Sequence, residues 1–164
     1  MLTVFPFEAD FYAKHEVPVT FVGHPLADEI ALKTEQQLAR KQLGLDPQGT
    51  FLAILPGSRA GELRHLAPVF LAAAKLCQQK MPGLRCIAPM VNAARRHEFS
   101  IIKQQIAPDL SCRVFDSASR AVMAAADVVL VASGTATLEA MLLKRPMVIA
   151  FRMGRWSFRW RFGR

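Results

Sequence analysis

Only three cysteines occur in the 164 residues, Cys77, Cys86 and Cys112, with no CxxC pair among them. A disulfide framework is therefore not expected, and the three read as reduced, mostly buried small apolar residues. The four histidines, His15, His24, His65 and His97, are scattered, and there is no HExxH or Cys/His cluster. A metal site is not expected from such a pattern. No apolar run approaches the roughly 20 residues needed to span a bilayer. The opening Met1-Leu2-Thr3-Val4-Phe5-Pro6 lacks the basic start and long apolar centre of a signal peptide. A cytoplasmic address is the resulting expectation. Acidic residues are missing altogether after Glu139, while Lys144, Arg145, Arg152, Arg155, Arg159, Arg161 and Arg164 follow it.

That asymmetry accounts for much of the formal charge of +8. It points to an anionic partner, a membrane surface or nucleic acid, or else to a solvated basic edge. An apolar content of 52% marks a globular chain of ordinary single-domain size.

Short strand patterns alternate with helical ones. Leu2 to Phe5, Val19 to Val22, Phe51 to Leu55, Leu84 to Pro89, Cys112 to Phe115, Asp127 to Ala132 and Met147 to Phe151 read as strands. Val128 to Val131 is apolar on both faces, as in a buried parallel strand. Helices are expected over Glu8 to His15, Leu26 to Ala31, Thr34 to Leu43, Ala93 to Ile106, Ser117 to Ala125 and Thr135 to Leu143. Thr34 is the expected N-cap and Gly44 the C-cap of one of these. Between residues 62 and 80 the pattern predicts a single helical turn, Glu62 to His65, and then a helix whose first position is Pro68, with Phe70, Ala73, Ala74 and Cys77 as its buried stripe. The alternation predicts an α/β fold, a parallel sheet with helices on both faces. The last residues alternate Trp156, Phe158, Trp160 and Phe162 with arginines. They fit a strand or a helix equally, and suit either a membrane interface or a core segment lacking its packing partner.

Two turns carry the chemistry. Pro56-Gly57-Ser58-Arg59 follows the strand ending at Leu55, and Ser133-Gly134-Thr135 follows the strand ending at Ala132. Each leads into a helical pattern, whose first N–H groups are unpaired and carry partial positive charge. Glycine permits close backbone approach, and an arginine fork suits phosphate oxygens. At the same end of one sheet, the two turns would form a phosphate site. Arg59 would clamp a diphosphate, with Gly57 and Ser58 supplying donors, or it caps a carbonyl at the surface. Ser133 and Thr135 offer amides to phosphate, or serve as N-caps. Glu139, one helical turn beyond Thr135, is placed to accept hydrogen bonds from ribose hydroxyls, or is an acid favoured by the helix dipole. Asn92 caps the helix after Leu84 to Pro89, or faces the ligand. His24, in Gly23-His24-Pro25, is a substrate contact or a turn residue. No Ser/His/Asp triad and no pair of carboxylates in matching loops is evident.

Five segments, in order, resemble the lipid-A-disaccharide synthase family from residue 1 to about Met153. They are Phe5-Pro6-Phe7-Glu8 with Phe11-Tyr12; Phe21-Val22-Gly23-His24-Pro25-Leu26-Ala27-Asp28; Leu55-Pro56-Gly57-Ser58-Arg59 with Glu62; Val91-Asn92-Ala93 with Arg95-Arg96; and Ala132 to Glu139. The resemblance implies a glycosyltransferase of two facing Rossmann-like domains (GT-B type). It implies transfer of 2,3-diacylglucosamine from UDP to 2,3-diacylglucosamine 1-phosphate (lipid X), with no metal or cofactor, at the cytoplasmic face of the inner membrane. It also implies a possible homodimer and no nucleic-acid partner. Residues 1–153 would be an incomplete nucleotide-sugar-binding domain and 154–164 a basic, aromatic tail. The acceptor domain with its catalytic acids is expected to be absent, making the chain a fragment. UDP-donor contacts would fall to Gly57, Ser58, Arg59, Asn92, Ser133, Gly134, Thr135 and Glu139. The alternatives are an enzyme like a UDP-N-acetylglucosamine 2-epimerase, which needs acid/base carboxylates not found here, and a non-catalytic basic module.

Overall fold

A computed structural model describes residues 1–32 and 35–152. Thr34 and the tail from 154 to 164 lie outside the described residues. The chain divides into two compact units, residues 1–34 and residue 35 onward.

In the first unit, β1 (Leu2–Thr3) pairs in parallel with β2 (Thr20–Phe21). Between them, α1 (Pro6–Ala13) starts with a proline at a position needing no N–H, and Glu8 reaches back to accept from the amides of Phe5 at 3.0 Å and Val4 at 3.2 Å. A short helix, α2 (Pro25–Glu29), follows β2.

The second unit is a five-stranded sheet, every neighbouring pair parallel, in the order β5-β4-β3-β6-β7. Its elements in chain order are α3 (Gln36–Gln42), β3 (Thr50–Leu55), α4 (Ala60–Lys80), β4 (Leu84–Met90), α5 (Ala93–Ile106), β5 (Cys112–Asp116), α6 (Ser119–Ala125), β6 (Val128–Ala132), α7 (Thr135–Leu142) and β7 (Met147–Ala150). The chain starts in the middle of the sheet, builds outward through β4 and β5, then returns to the other side of β3 with β6 and β7. The expected α/β architecture with helices on both faces is the one observed. Side chains of Leu52, Ile54, Cys86, Ala88 and Met90 join Leu63, Phe70, Leu71 and Phe99 in a core beneath α4 and α5. The alternate strand residues Phe51, Ala53, Leu55, Ile87, Val129 and Val131 are also buried, on the face covered by α6 and α7. Each large apolar side chain so enclosed contributes about 1.5–3 kcal/mol.

Two local expectations are corrected. Pro68 does not open a helix; it lies inside α4, which runs unbroken from Ala60. The stripe Leu63, Leu66, Ala67, Phe70, Leu71, Ala74 is buried on both sides of the proline, so packing holds the helix across its missing hydrogen bond. Cys77 is exposed rather than part of that stripe. Helix α3 ends as expected near Gly44, whose φ of 60° lets the Gly44 amide reach Lys41 O (3.1 Å) and the Leu45 amide reach Arg40 O (2.9 Å).

The cysteines therefore differ in reactivity. Burial pushes the thiols of Cys86 and Cys112 up to about 12, whereas Cys77 is open to solvent. At pH 8 a thiol-disulfide dye is expected to titrate Cys77 rapidly in the native chain and all three cysteines only after unfolding in guanidinium. Fast native reaction of more than one thiol would contradict this burial. Among the described residues, no helix is long and apolar enough to cross a membrane.

Candidate functional site

Strands β3 and β6 are neighbours, yet the chain leaves them toward opposite faces of the sheet. That junction is the topological switch point, where open parallel sheets hold their ligands beyond the carboxyl ends of the strands. A cleft of about 490 Å³ opens there.

One wall is the turn after β3. Gly57 has φ 109°, a conformation side-chain-bearing residues rarely adopt. Arg59 flanks the first turn of α4, and its side chain is 85% exposed. Glu62, three residues on, accepts from the Arg59 amide through Oε2 at 3.4 Å and from the Arg59 guanidinium through Oε1 at 3.0 Å. The opposite wall is the turn after β6. The Ser133 amide donates to Ala150 O at 2.9 Å, anchoring the turn to β7. No side-chain cap closes the start of α7; Thr137 instead donates its hydroxyl to Gly134 O at 2.6 Å. The Thr137 amide also donates to Gly134 O, at 3.1 Å, so the first-turn amides a ligand would meet are those of Thr135 and Ala136. Ser133, Gly134 and Thr135 are exposed, and Glu139 is half-buried one turn deeper in the same cleft.

The third wall comes from Pro89, Met90 and Val91 at the end of β4, with Ser117 and Ser119 after β5. Ser117 has φ 50° and clasps this wall together: its amide donates to Met90 O at 2.8 Å and its hydroxyl to Val91 O at 3.2 Å.

Gly57, Ser58, Arg59, Ser133, Gly134, Thr135 and Glu139 therefore share one cleft. Asn92 is placed one residue beyond lining Val91, where its Oδ1 accepts from the Arg95 amide at 2.9 Å as the N-cap of α5. His24, in the first unit, caps α2: its Nδ1 accepts from the Leu26 amide at 3.2 Å, and its ring lies 5.9 Å from that of Phe5. From the sequence Glu62 marks a motif and the start of a helical turn, and Ser117 the start of a helix; neither they nor Ser119 stand out there as site residues. Their position after a strand's carboxyl end was the available signal.

Two helix starts, one exposed guanidinium and two carboxylates make a cleft that can bind a diphosphate at one end and hydroxyl groups at the other. The model of the lipid-A-disaccharide synthetase family matches residues 1–159. The lipid-A-disaccharide synthase of Bordetella petrii is 49% identical over 174 residues, covering 99% of this chain and 44% of that protein. That of Alcanivorax borkumensis is 53% identical over 155 residues, covering 94% of this chain and 40% of the relative. The chain thus spans about two-fifths of the length of these curated relatives. Among solved structures, the C-terminal domain of a glycosyl transferase group 1 family protein from Francisella tularensis matches with a TM-score of 0.54 at 18% identity, over 75% of this chain and 68% of that one. An Anabaena protein solved in complex with UDP-glucose, HepE, matches with a TM-score of 0.53 at 14% identity, over 90% of this chain and 43% of its own. At such identities the two structures speak to the fold alone, a Rossmann-like α/β domain. With the family model covering nearly the whole chain and relatives half identical in sequence, the chain belongs to the lipid-A-disaccharide synthetase family.

Proposed function

We propose that this chain is the donor-binding part of a lipid-A-disaccharide synthase, holding the UDP portion of UDP-2,3-diacylglucosamine in the cleft between β3 and β6. The observation that carries this reading is the meeting of the Gly57-Ser58-Arg59 and Ser133-Gly134-Thr135 turns across the switch point. When the sugar–phosphate bond breaks, negative charge grows on the departing diphosphate. The starts of α4 and α7 and the Arg59 guanidinium lie where that charge would be received. Glu139 would accept from the ribose hydroxyls. The acceptor is lipid X, the 1-phosphate of the same diacylated sugar, and the working place is the cytoplasmic surface of the inner membrane, with a homodimer as the assembly. The group that takes the acceptor's proton is not assigned to a residue of this chain.

Calorimetric titration tests the donor reading. UDP is expected to bind saturably, ADP at least about tenfold more weakly, and Arg59→Ala to lower UDP affinity by about 10- to 100-fold, the range for a charge-assisted phosphate contact. Equal binding of UDP and ADP, or an Arg59→Ala chain that binds as well as the parent, would overturn it.

A further inference from the structure

Glu62 stands in the cleft with no part in the chemistry above, yet it engages the donors a phosphate would want. Its Oε2 faces the Arg59 amide at the start of α4 and its Oε1 faces the Arg59 guanidinium, at 3.4 and 3.0 Å. It also lies directly over the glycine turn: a Cβ on Gly57 would sit 2.5 Å from Glu62 Cβ and 2.6 Å from its Oε2. An anion approaching the backbone at Gly57 and the arginine fork therefore arrives where a carboxylate already is. We infer that Glu62 is an internal anion that occupies Arg59 before a ligand arrives and yields it to the diphosphate. The inference rests on the diphosphate reading of this cleft.

The physical case is one of exchange. The side chains of the pair are 85% and 37% exposed, so water screens their attraction and the bond is easily given up. A diphosphate carries more charge and can take the guanidinium through two parallel hydrogen bonds, which favours the exchange. Glu62 then remains on the Arg59 amide, close to the new anion, and repels it. Nucleotide affinity is thereby held below what Arg59 alone would provide, and a spent nucleotide leaves more readily. Glu62 acts through Arg59 and is a positioning residue.

Glu62→Gln separates the roles, because glutamine keeps the length and an acceptor oxygen for the Arg59 amide but loses the charge. Calorimetry with UDP and with pyrophosphate is expected to show on the order of fivefold tighter binding of both probes to Glu62→Gln. The gain should vanish when Arg59→Ala is added. Glu62→Ala, which also removes the helix cap, should lower the melting temperature while still binding pyrophosphate more tightly. A purely structural Glu62 would lower the melting temperature with no gain in affinity. Unchanged or weaker binding by Glu62→Gln, or a gain that persists without Arg59, overturns the inference even where UDP remains preferred over ADP. A pyrophosphate gain without preference for UDP leaves the exchange standing and removes the uridine reading. Failure of both probes to bind any variant removes both.

Discussion

Arg40→Ala is expected to destabilise the chain by about 3 kcal/mol, read as a lower urea midpoint at unchanged slope. Arg40 lies in the last turn of α3, where a basic residue would ordinarily be solvated, yet it is only 4% exposed. Its Nε donates to Ala125 O at 2.9 Å, one terminal nitrogen to Pro47 O at 2.7 Å, and the other to both carboxylate oxygens of Asp127 at 2.9 Å. The guanidinium also lies 5.2 Å from the centre of the Phe51 ring. Asp127 in turn accepts from the Phe51 amide at 2.8 Å and from Gln36 at 3.1 Å. This knot ties α3 to the starts of β3 and β6. Alanine at 40 would take the charged donor from two carbonyls and a carboxylate, leaving them only the neutral donors of Gln36, Gln37 and the Phe51 amide. Breaking a buried ion pair costs about 3–5 kcal/mol, and the low end applies because the Asp127 side chain is 39% exposed. Arg40→Lys restores one donor but not the planar fork, and should recover about 1 kcal/mol. The knot is at the amino ends of the strands, roughly 13 Å from the cleft at about 3.3 Å per residue. UDP affinity of the folded variant should thus be unchanged. A midpoint close to the parent's would mean that Arg40 contributes no more than a surface pair.

The second large effect separates two glycines that look alike in sequence. Gly57→Ala is expected to lose about 2 kcal/mol of stability and at least about tenfold in UDP affinity. Its φ of 109° is strained for alanine, and the new Cβ would collide at 2.5 Å with Glu62 Cβ, an atom fixed in the first turn of α4. Gly134 has φ 165°, extended backbone open to any residue, and a Cβ there would meet nothing within 4 Å. Gly134→Ala should therefore change stability by less than about 0.5 kcal/mol. Its methyl group would nonetheless project beside the open amides of α7 and weaken UDP binding. Thermal melting and calorimetry on the two variants read the difference directly. Comparable destabilisation by both would contradict the turn geometry, and intact UDP binding by Gly134→Ala would mean that no phosphate approaches that turn.

Much of this was legible from residue patterns. Helix α5 runs from Ala93 to Ile106, the span expected from the sequence, because the capping Asn92 at its start is a local signal. Strand β6 was marked by its unbroken apolar run. The misses have one cause, which is that long-range packing overrode a local cue. Pro68 reads as a helix start until the buried stripe on both sides of it is seen. Nothing in its local sequence marks Arg40 as buried, because its partner Asp127 lies 87 residues later. Glu62 reads as a helix-start acid until its contact with the Gly57 turn shows it in the cleft.

The order of strands and helices, the glycine turns after Leu55 and Ala132, and the family were determined by the sequence alone, because each rests on local residue choice. That β3 and β6 lie side by side, with register partners such as Leu55 and Val131, was decided only by the tertiary structure. Apolar alternation states which face of a strand is buried. It does not name the neighbouring strand, because the backbone hydrogen bonds that join strands are the same for every residue. The cleft exists through that adjacency: two turns that are 76 residues apart face each other because the chain reverses its direction of growth across β3.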